Sequence, residues 1–114
     1  MTNTTDWDAL PETVRTFMAA VDAREKDQAL ATLSPDAVVT DEGHDYTGHD
    51  EIGAWVATAA AEFAYTTSFT GATTTEVGVD VGQHLEGDFP GGVADLHYRF
   101  TLDGTVINRV VIEP

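Results

Sequence analysis

Residues 93–114, VADLHYRFTLDGTVINRVVIEP, decide how the chain folds. Asp103-Gly104 stands between two runs of Val, Ile, Leu and aromatic residues. An Asp-Gly pair flanked by such runs is a strong short-range hairpin signal, because both turn positions need positive φ. Strands are therefore expected over Val93–Leu102 and Thr105–Ile112. Read as a two-residue loop, the turn pairs Leu102 with Thr105, Phe100 with Ile107, Tyr98 with Arg109 and Leu96 with Val111, and paired residues share a face.

Moving toward the N-terminus, Phe89-Pro90-Gly91-Gly92 marks a second turn, with strands expected over Val77–Asp88 and Tyr65–Glu76. It pairs Asp88 with Val93 and sets Leu85 by Leu96, Gln83 by Tyr98 and Val81 by Phe100. The face holding Val79, Val81, Leu85, Leu96, Phe100, Ile107 and Val111 is apolar and is expected to meet the helices. Gln83, Tyr98 and Arg109 interrupt it. An inward Arg needs a partner carboxylate or a wet pocket, since an unpaired buried charge costs several kcal/mol or more, as a rough figure. Polar groups set on an apolar wall also suit a small-molecule site. A one-residue bulge in either hairpin would invert these faces.

The opposite face, as read, carries Val93, Asp95, His97, Arg99, Val106, Asn108, Val110 and Ile112, with His84 opposite His97 and Glu86 opposite Asp95. So many Val and Ile residues beside charges fit a subunit interface better than a water-facing sheet. The expectation is a homodimer through His84, His97, Arg99 and Val110 that weakens on acidification.

The first half reads as helical. Pro11 suits a first helical position, and Leu10, Val14, Phe17, Met18 and Val21 form one apolar stripe. A second helix is expected over Asp27–Leu33, stopped by Ser34-Pro35, and Val38-Val39-Thr40 reads as a strand. Gly43 and Gly48 then bracket a short hairpin. The third helix begins near His49 or Asp50 and buries Ile52, Trp55, Val56, Ala59 and Phe63. The fold class is thus α+β: three N-terminal helices on a curved, mainly antiparallel sheet, in a single domain over residues 1–114.

Residues 38–55, VVTDEGHDYTGHDEIGAW, hold most of the groups able to move protons or hold a polar ligand. Asp41 ends the strand and is either a base or a structural carboxylate satisfied by the following turn. His44 is a candidate acid/base partner. His44 and His49 with Asp45 and Asp50 match no standard metal motif, so no metal is expected. Tyr46 and Trp55 read as pocket lining or core, and Trp7 as a cap on the pocket mouth.

Twenty acidic residues against five basic ones give a formal net charge of −15. Such a chain is a poor ligand for nucleic acid or anionic membranes, both of which need Lys and Arg. The absence of Cys excludes disulfides and thiol chemistry. No secretory signal or spanning segment is visible, and a cytoplasmic location is expected by default. No glycine-rich phosphate or dinucleotide pattern supports a cofactor.

The layout, with VRTFMAAVDAREKDQALATLSPDAVVTDEG, YTGHDEIGAWV and GDFPGGVADLHYRFTLDGTVINRVVIEP, resembles the SnoaL-like family of the NTF2-like superfamily, which includes ketosteroid isomerases. The resemblance implies a cone-shaped α+β barrel with a pocket between helices and sheet, commonly a cofactor-free homodimer. It sets Asp41 where similar isomerases carry the proton-shuttling carboxylate. Their oxyanion-binding Tyr is matched by Phe17 and their protonated Asp by Leu96, so steroid isomerisation by that mechanism is not expected.

Three functional readings follow. The first is a small-molecule-binding domain for a largely apolar ligand with one polar or anionic end, its pocket lined by Phe17, Tyr46, Trp55, Gln83 and Leu96. The second is a cofactor-free isomerase, cyclase or lyase using Asp41, Tyr98 and Arg109. The third is a non-catalytic structural dimer. Composition and spacing leave catalysis undecided.

Overall fold

The computed structural model describes residues 6–58 and 65–114. A 3-10 turn at Trp7–Ala9 leads into α1 (Glu12–Asp22) and the short α2 (Lys26–Leu30). Strands β1 (Leu33–Asp41) and β2 (His44–Thr47) follow, then α3 (Gly48–Ala57) and strands β3 (Tyr65–Thr74), β4 (Gly78–Gly87), β5 (Val93–Asp103) and β6 (Val106–Glu113). The expected Ala59 and Phe63 of the α3 stripe lie outside the described residues. No helix among the described residues is long and apolar enough to cross a membrane.

The six strands form one sheet in the order β2-β1-β6-β5-β4-β3. β1 runs parallel to β6 and every other neighbouring pair is antiparallel. With β2 and β3 as its two edges, the sheet is open and mixed, and the expected closed barrel is not formed.

The last hairpin corrects the expected register. Leu102 pairs with Ile107 and Asp103 with Val106, but Thr101 pairs with Arg109, so Asn108 is one residue more than β5 can match. Beyond that bulge Phe100 faces Val110 and Tyr98 faces Ile112. Every side chain of β6 after Asn108 is therefore on the face opposite to the one a flat two-residue hairpin assigns. Ile107, Val110 and Ile112 are buried, and Arg109 is exposed. Burial energetics favour this choice. Hiding Val110 and Ile112 contributes roughly 1.5–3 kcal/mol each, whereas turning Arg109 inward would cost several kcal/mol, as a rough figure.

The β4–β5 hairpin is shifted by two residues from the expected pairing. Gln83 pairs with Leu96, Val81 with Tyr98 and Val79 with Phe100. An even shift preserves faces, so the inward set Val79, Val81, Gln83, Leu85, Leu96, Tyr98 and Phe100 stands. His84 faces Asp95, not His97, and His97 faces Gly82.

The core joins this face to α1 and α3. Val14, Phe17, Ile52, Val56, Val81, Phe100 and Ile107 are fully or almost fully buried, and Phe17 meets Phe100 edge-on at 5.7 Å. Phe17 is thus core packing. Trp7 packs edge-on against Phe69 at 5.6 Å.

With Val110 and Ile112 inside, the outer face keeps only part of the apolar set from which a subunit interface was argued, Val93 and Val106 remaining exposed. Val110 is buried and cannot belong to one. The outer face is instead a lattice of paired charges. His84 contacts Asp95 at 2.7 Å and Glu86 at 3.2 Å, His97 contacts Asp80 at 2.8 Å, and Arg99 joins Asp80 and Glu113. Both ring nitrogens of His84 face carboxylates, so its pKa is raised, first by the hydrogen bond that the ring donates to Asp95.

Gly78 begins β4 where backbones come closest. A Cβ there would overlap the Phe100 carbonyl oxygen and lie 2.9 Å from its carbon. Because that obstacle is backbone, Gly78→Ala is expected to cost about 1–3 kcal/mol. Urea denaturation should show a lower midpoint at unchanged m-value, and an unshifted midpoint would mean that β4 and β5 do not meet this closely.

Candidate functional site

Asp41 is the last residue of β1. The next two, Glu42 and Gly43, have φ of 54° and 75°, the pair of left-handed conformations that a tight two-residue hairpin needs. That turn pairs Asp41 with His44, while the parallel ladder pairs it with Ile112. Since Ile112 faces inward, so does Asp41.

A cavity of about 310 Å³ opens there, lined by Val21, Asp41, Glu42, Trp55, Tyr65, Leu85, Phe89, Pro90, Ala94, Leu96, Tyr98 and Ile112. It is walled by α1, α3 and the inner sheet face, and closed at one end by the β4–β5 turn. A larger hollow of about 480 Å³ lies at the start of α1, near the β5–β6 turn. Its lining is mainly Thr, with Pro, Gln, Ala and Gly, and Glu12 is its one ionisable side chain.

Trp55 Nε1–H donates to Asp41 Oδ2 at 3.1 Å. Burial nevertheless raises the Asp41 pKa above its ordinary value; the Trp55 bond opposes the shift and Glu42 adds to it. Desolvation wins because a single neutral donor replaces only part of a carboxylate's water shell. Tyr98 is 8% exposed, and burial drives its pKa far up, with Tyr65, Asp22 and Asp41 adding to the effect. Tyr65 shifts upward as well, first by burial and then by Asp22, against an opposing pull from Arg24. Both phenols therefore keep their protons at neutral pH and can donate.

A small second cavity of about 90 Å³ adjoins the first, sharing Val21 and Tyr65 with it and adding Asp22, Arg24 and Thr67. Thr67 Oγ1 donates to Asp22 Oδ2 at 3.0 Å, and burial again raises the carboxyl pKa.

Among the sequence candidates, Asp41, Trp55, Leu96 and Tyr98 meet in the main cavity. Arg109 does not. The bulge sends it to the outer face, where Nη2 donates to Thr40 Oγ1 at 3.4 Å. Gln83 faces inward and is buried but is not in the lining. Tyr46 lies behind Trp55 with ring centres 6.1 Å apart and planes tilted by 40°, and exposed His44 lies 4.6 Å from Tyr46 at 50°, so this row of rings stands behind the cavity wall. His49 Nε2 lies 3.1 Å from the Ser34 carbonyl and 3.3 Å from that of Leu33. Carbonyls only accept, so this nitrogen carries a proton and the ring ties α3 to β1. Trp7, on Phe69, does not reach the cavity mouth. Among the described residues no group of three or more His, Asp or Glu is placed to hold a metal ion.

Sequence reasoning missed Tyr65, Glu42, Phe89 and Ile112 as lining residues. Tyr65 read only as a strand start, and Phe89-Pro90 only as a turn. β4 and β3 stand three and four places from β1 in the sheet order, so the meeting of Tyr65 and Phe89 with Asp41 in one cavity is not encoded in local pattern.

Residues 14–111 match the model of the SnoaL-like domain. A solved structure of a candidate polyketide cyclase from Sinorhizobium meliloti is similar over 96% of this chain and 100% of its own, at 29% identity and a TM-score of 0.87. A Catenulispora acidiphila protein with a ketosteroid isomerase-like fold, in complex with trimethylamine, is 19% identical over 92% of this chain and 86% of its own, with a TM-score of 0.79. A Mycobacterium tuberculosis protein in complex with estradiol-17β-hemisuccinate is 16% identical over 88% of each chain, with a TM-score of 0.71. The last two likenesses concern the fold alone. No curated protein sequence matches the chain significantly.

The raised Asp41 pKa has a consequence for stability. Between the ordinary value of 3.8 and the higher folded value, the native state holds a proton that the unfolded chain has lost, so stability falls as pH rises through that window. At pH 7 the full penalty of a desolvated carboxylate applies. Asp41→Asn, which can still accept from Trp55, is therefore expected to melt above the wild type at pH 7. The difference should shrink toward zero below about pH 3.8. Thermal melts across pH check this, and a variant melting lower at pH 7 would mean that the charged form is net stabilised by its surroundings.

Proposed function

The chain belongs to the SnoaL-like domain family, and from that premise we propose that it binds a small, largely apolar molecule in the cavity beside Asp41, with one polar group of the ligand meeting the carboxylate. The observation that carries this reading is the open cavity of about 310 Å³, walled mainly by Val, Leu, Ile and aromatic side chains, with a half-buried carboxylate and two protonated phenols on its surface. Apolar walls with a few convergent polar groups are the usual make-up of a small-molecule site. Proteins of the same fold hold a steroid ester in one case and trimethylamine in another, so the fold accommodates both an apolar skeleton and a small amine.

An anionic ligand end is disfavoured once Arg109 is outside, because the cavity then offers carboxylates and hydroxyls but no cation. The reading of a structural dimer with a pocket filled by its own side chains is likewise less favoured by a cavity of this size.

A second reading, acid/base turnover, is favoured by the pairing of Asp41 with a buried phenol donor. A carboxylate whose pKa is raised by desolvation is a stronger base than one in water, and Tyr98 could hold an oxygen that gains charge when a proton leaves a neighbouring carbon. In this reading Asp41 takes the proton and Tyr98, with Tyr65 beside it, donates to the enolate oxygen.

Ala94 lines the cavity and lies across the ladder from Leu85. Ala94→Trp is expected to fill the space and lower affinity for apolar ligands at least tenfold, about 1.4 kcal/mol, without unfolding the chain. Isothermal titration against a panel of small polycyclic compounds measures this, and unchanged affinity would place binding elsewhere. Asp41→Asn separates the two readings: binding of neutral ligands survives in both, and loss of turnover on a substrate identified from the panel supports catalysis.

A further inference from the structure

Resting on the binding reading above, we infer that the polar end of the ligand is an organic cation, a protonated or quaternary amine on an apolar skeleton. Two lining residues, Asp41 and Glu42, are carboxylates, and four, Trp55, Tyr65, Phe89 and Tyr98, present aromatic rings. Tyr65 and Phe89 meet edge-on at 6.4 Å. Rings of this kind with a carboxylate beside them form the environment that favours a positively charged nitrogen. The ring faces attract the cation through their quadrupoles, and the carboxylate supplies a counter-charge in a site with little water.

The exclusion of basic side chains is equally informative. The chain has five Lys and Arg residues, all of them described, and none lines the cavity. Arg15 turns Nε toward the Leu10 carbonyl at 3.3 Å, Lys26 opens α2 with its side chain beside Gly53 of α3, Arg99 is paired with Asp80 and Glu113, and Arg109 reaches Thr40. Arg24 comes nearest, in the adjoining small cavity beside Asp22. No His lines the cavity either, and residues 1–5 and 59–64 contain no Lys, Arg or His that could reach in. An anion entering would therefore meet two carboxylates and no counter-charge. A neutral alcohol would gain one hydrogen bond. A cation would gain the counter-charge and at the same time offset the desolvation that burial imposes on the Asp41 carboxylate.

The test uses three compounds with one rigid skeleton: 1-adamantylamine, 1-adamantanol and 1-adamantanecarboxylate. Binding is followed at pH 7 and 0.15 M salt by Trp55 fluorescence in a Trp7→Phe background, and by titration calorimetry. The amine is expected to bind at least tenfold more tightly than the alcohol, and the carboxylate more weakly than either. Asp41→Asn should remove most of the amine's advantage and leave the alcohol within about twofold. General attraction to a chain of net charge −15 would instead survive Asp41→Asn and fade with added salt, which would overturn the inference. Glu42→Gln, in the solvent-facing turn, provides a second variant and should lower amine affinity alone by a smaller factor. Equal or tighter binding of the alcohol overturns the cation assignment while leaving the cavity as a binding site. Failure of all three to bind overturns the binding reading itself.

Discussion

Strand β6 uses one more residue than β5 to cover the same distance, and Asn108 is the surplus. From that bulge onward β6 presents Val110 and Ile112 to the core and Arg109 to the outside. Because β1 lies in parallel register on β6, with Val39 beside Val110 and Asp41 beside Ile112, the same bulge decides which way β1 faces. Asp41 is in the cavity because Ile112 is. In a flat hairpin the alternation of β6 would be reversed, with an unpaired guanidinium in the core and two large aliphatic side chains in water.

The cavity that results is electrostatically one-sided. A half-buried carboxylate stands among aromatic rings and aliphatic walls and accepts a hydrogen bond from an indole N–H. Such a group weakens the fold at neutral pH, as its raised pKa indicates, and becomes favourable only when something brought into the cavity compensates its charge or gives it a proton. Asp22, in the small adjoining cavity, shifts in the same direction for the same reason, so the region between α1 and the inner sheet face carries two carboxyls that burial keeps reluctant to ionise.

The outer face follows the opposite logic. There His84, His97 and Arg99 lie beside Asp80, Glu86, Asp95 and Glu113, all in contact with water, and each of the three has at least one carboxylate neighbour. In so acidic a chain the few basic groups are held on this lattice, on helix ends or at Thr40, and the cavity lining is left without any. Exposed pairs of this kind contribute little individually. Their effect on the site lies in where they hold the positive charge.

Hydrophobic periodicity, turn residues and composition sufficed for the α+β class, the order of the elements, the placement of three helices before the meander and the inward set of β4 and β5, because alternation and helical stripes are local properties of the chain. The Val38–Trp55 segment was legible as the source of the carboxylate, and the SnoaL-like resemblance matched Asp41 to it. The bulge at Asn108 was not legible, since an Asn in a strand looks the same whether it is paired or surplus, and only the competing burial of Arg109 against Val110 and Ile112 selects it. That single residue removed Arg109 from the site and Val110 from the surface. The joining of Tyr65, Phe89 and Ile112 with Asp41 also belonged to tertiary structure alone, because it depends on how strands distant in sequence are ordered in one sheet, and side chains that share a cavity only through that order leave no periodic trace in the sequence.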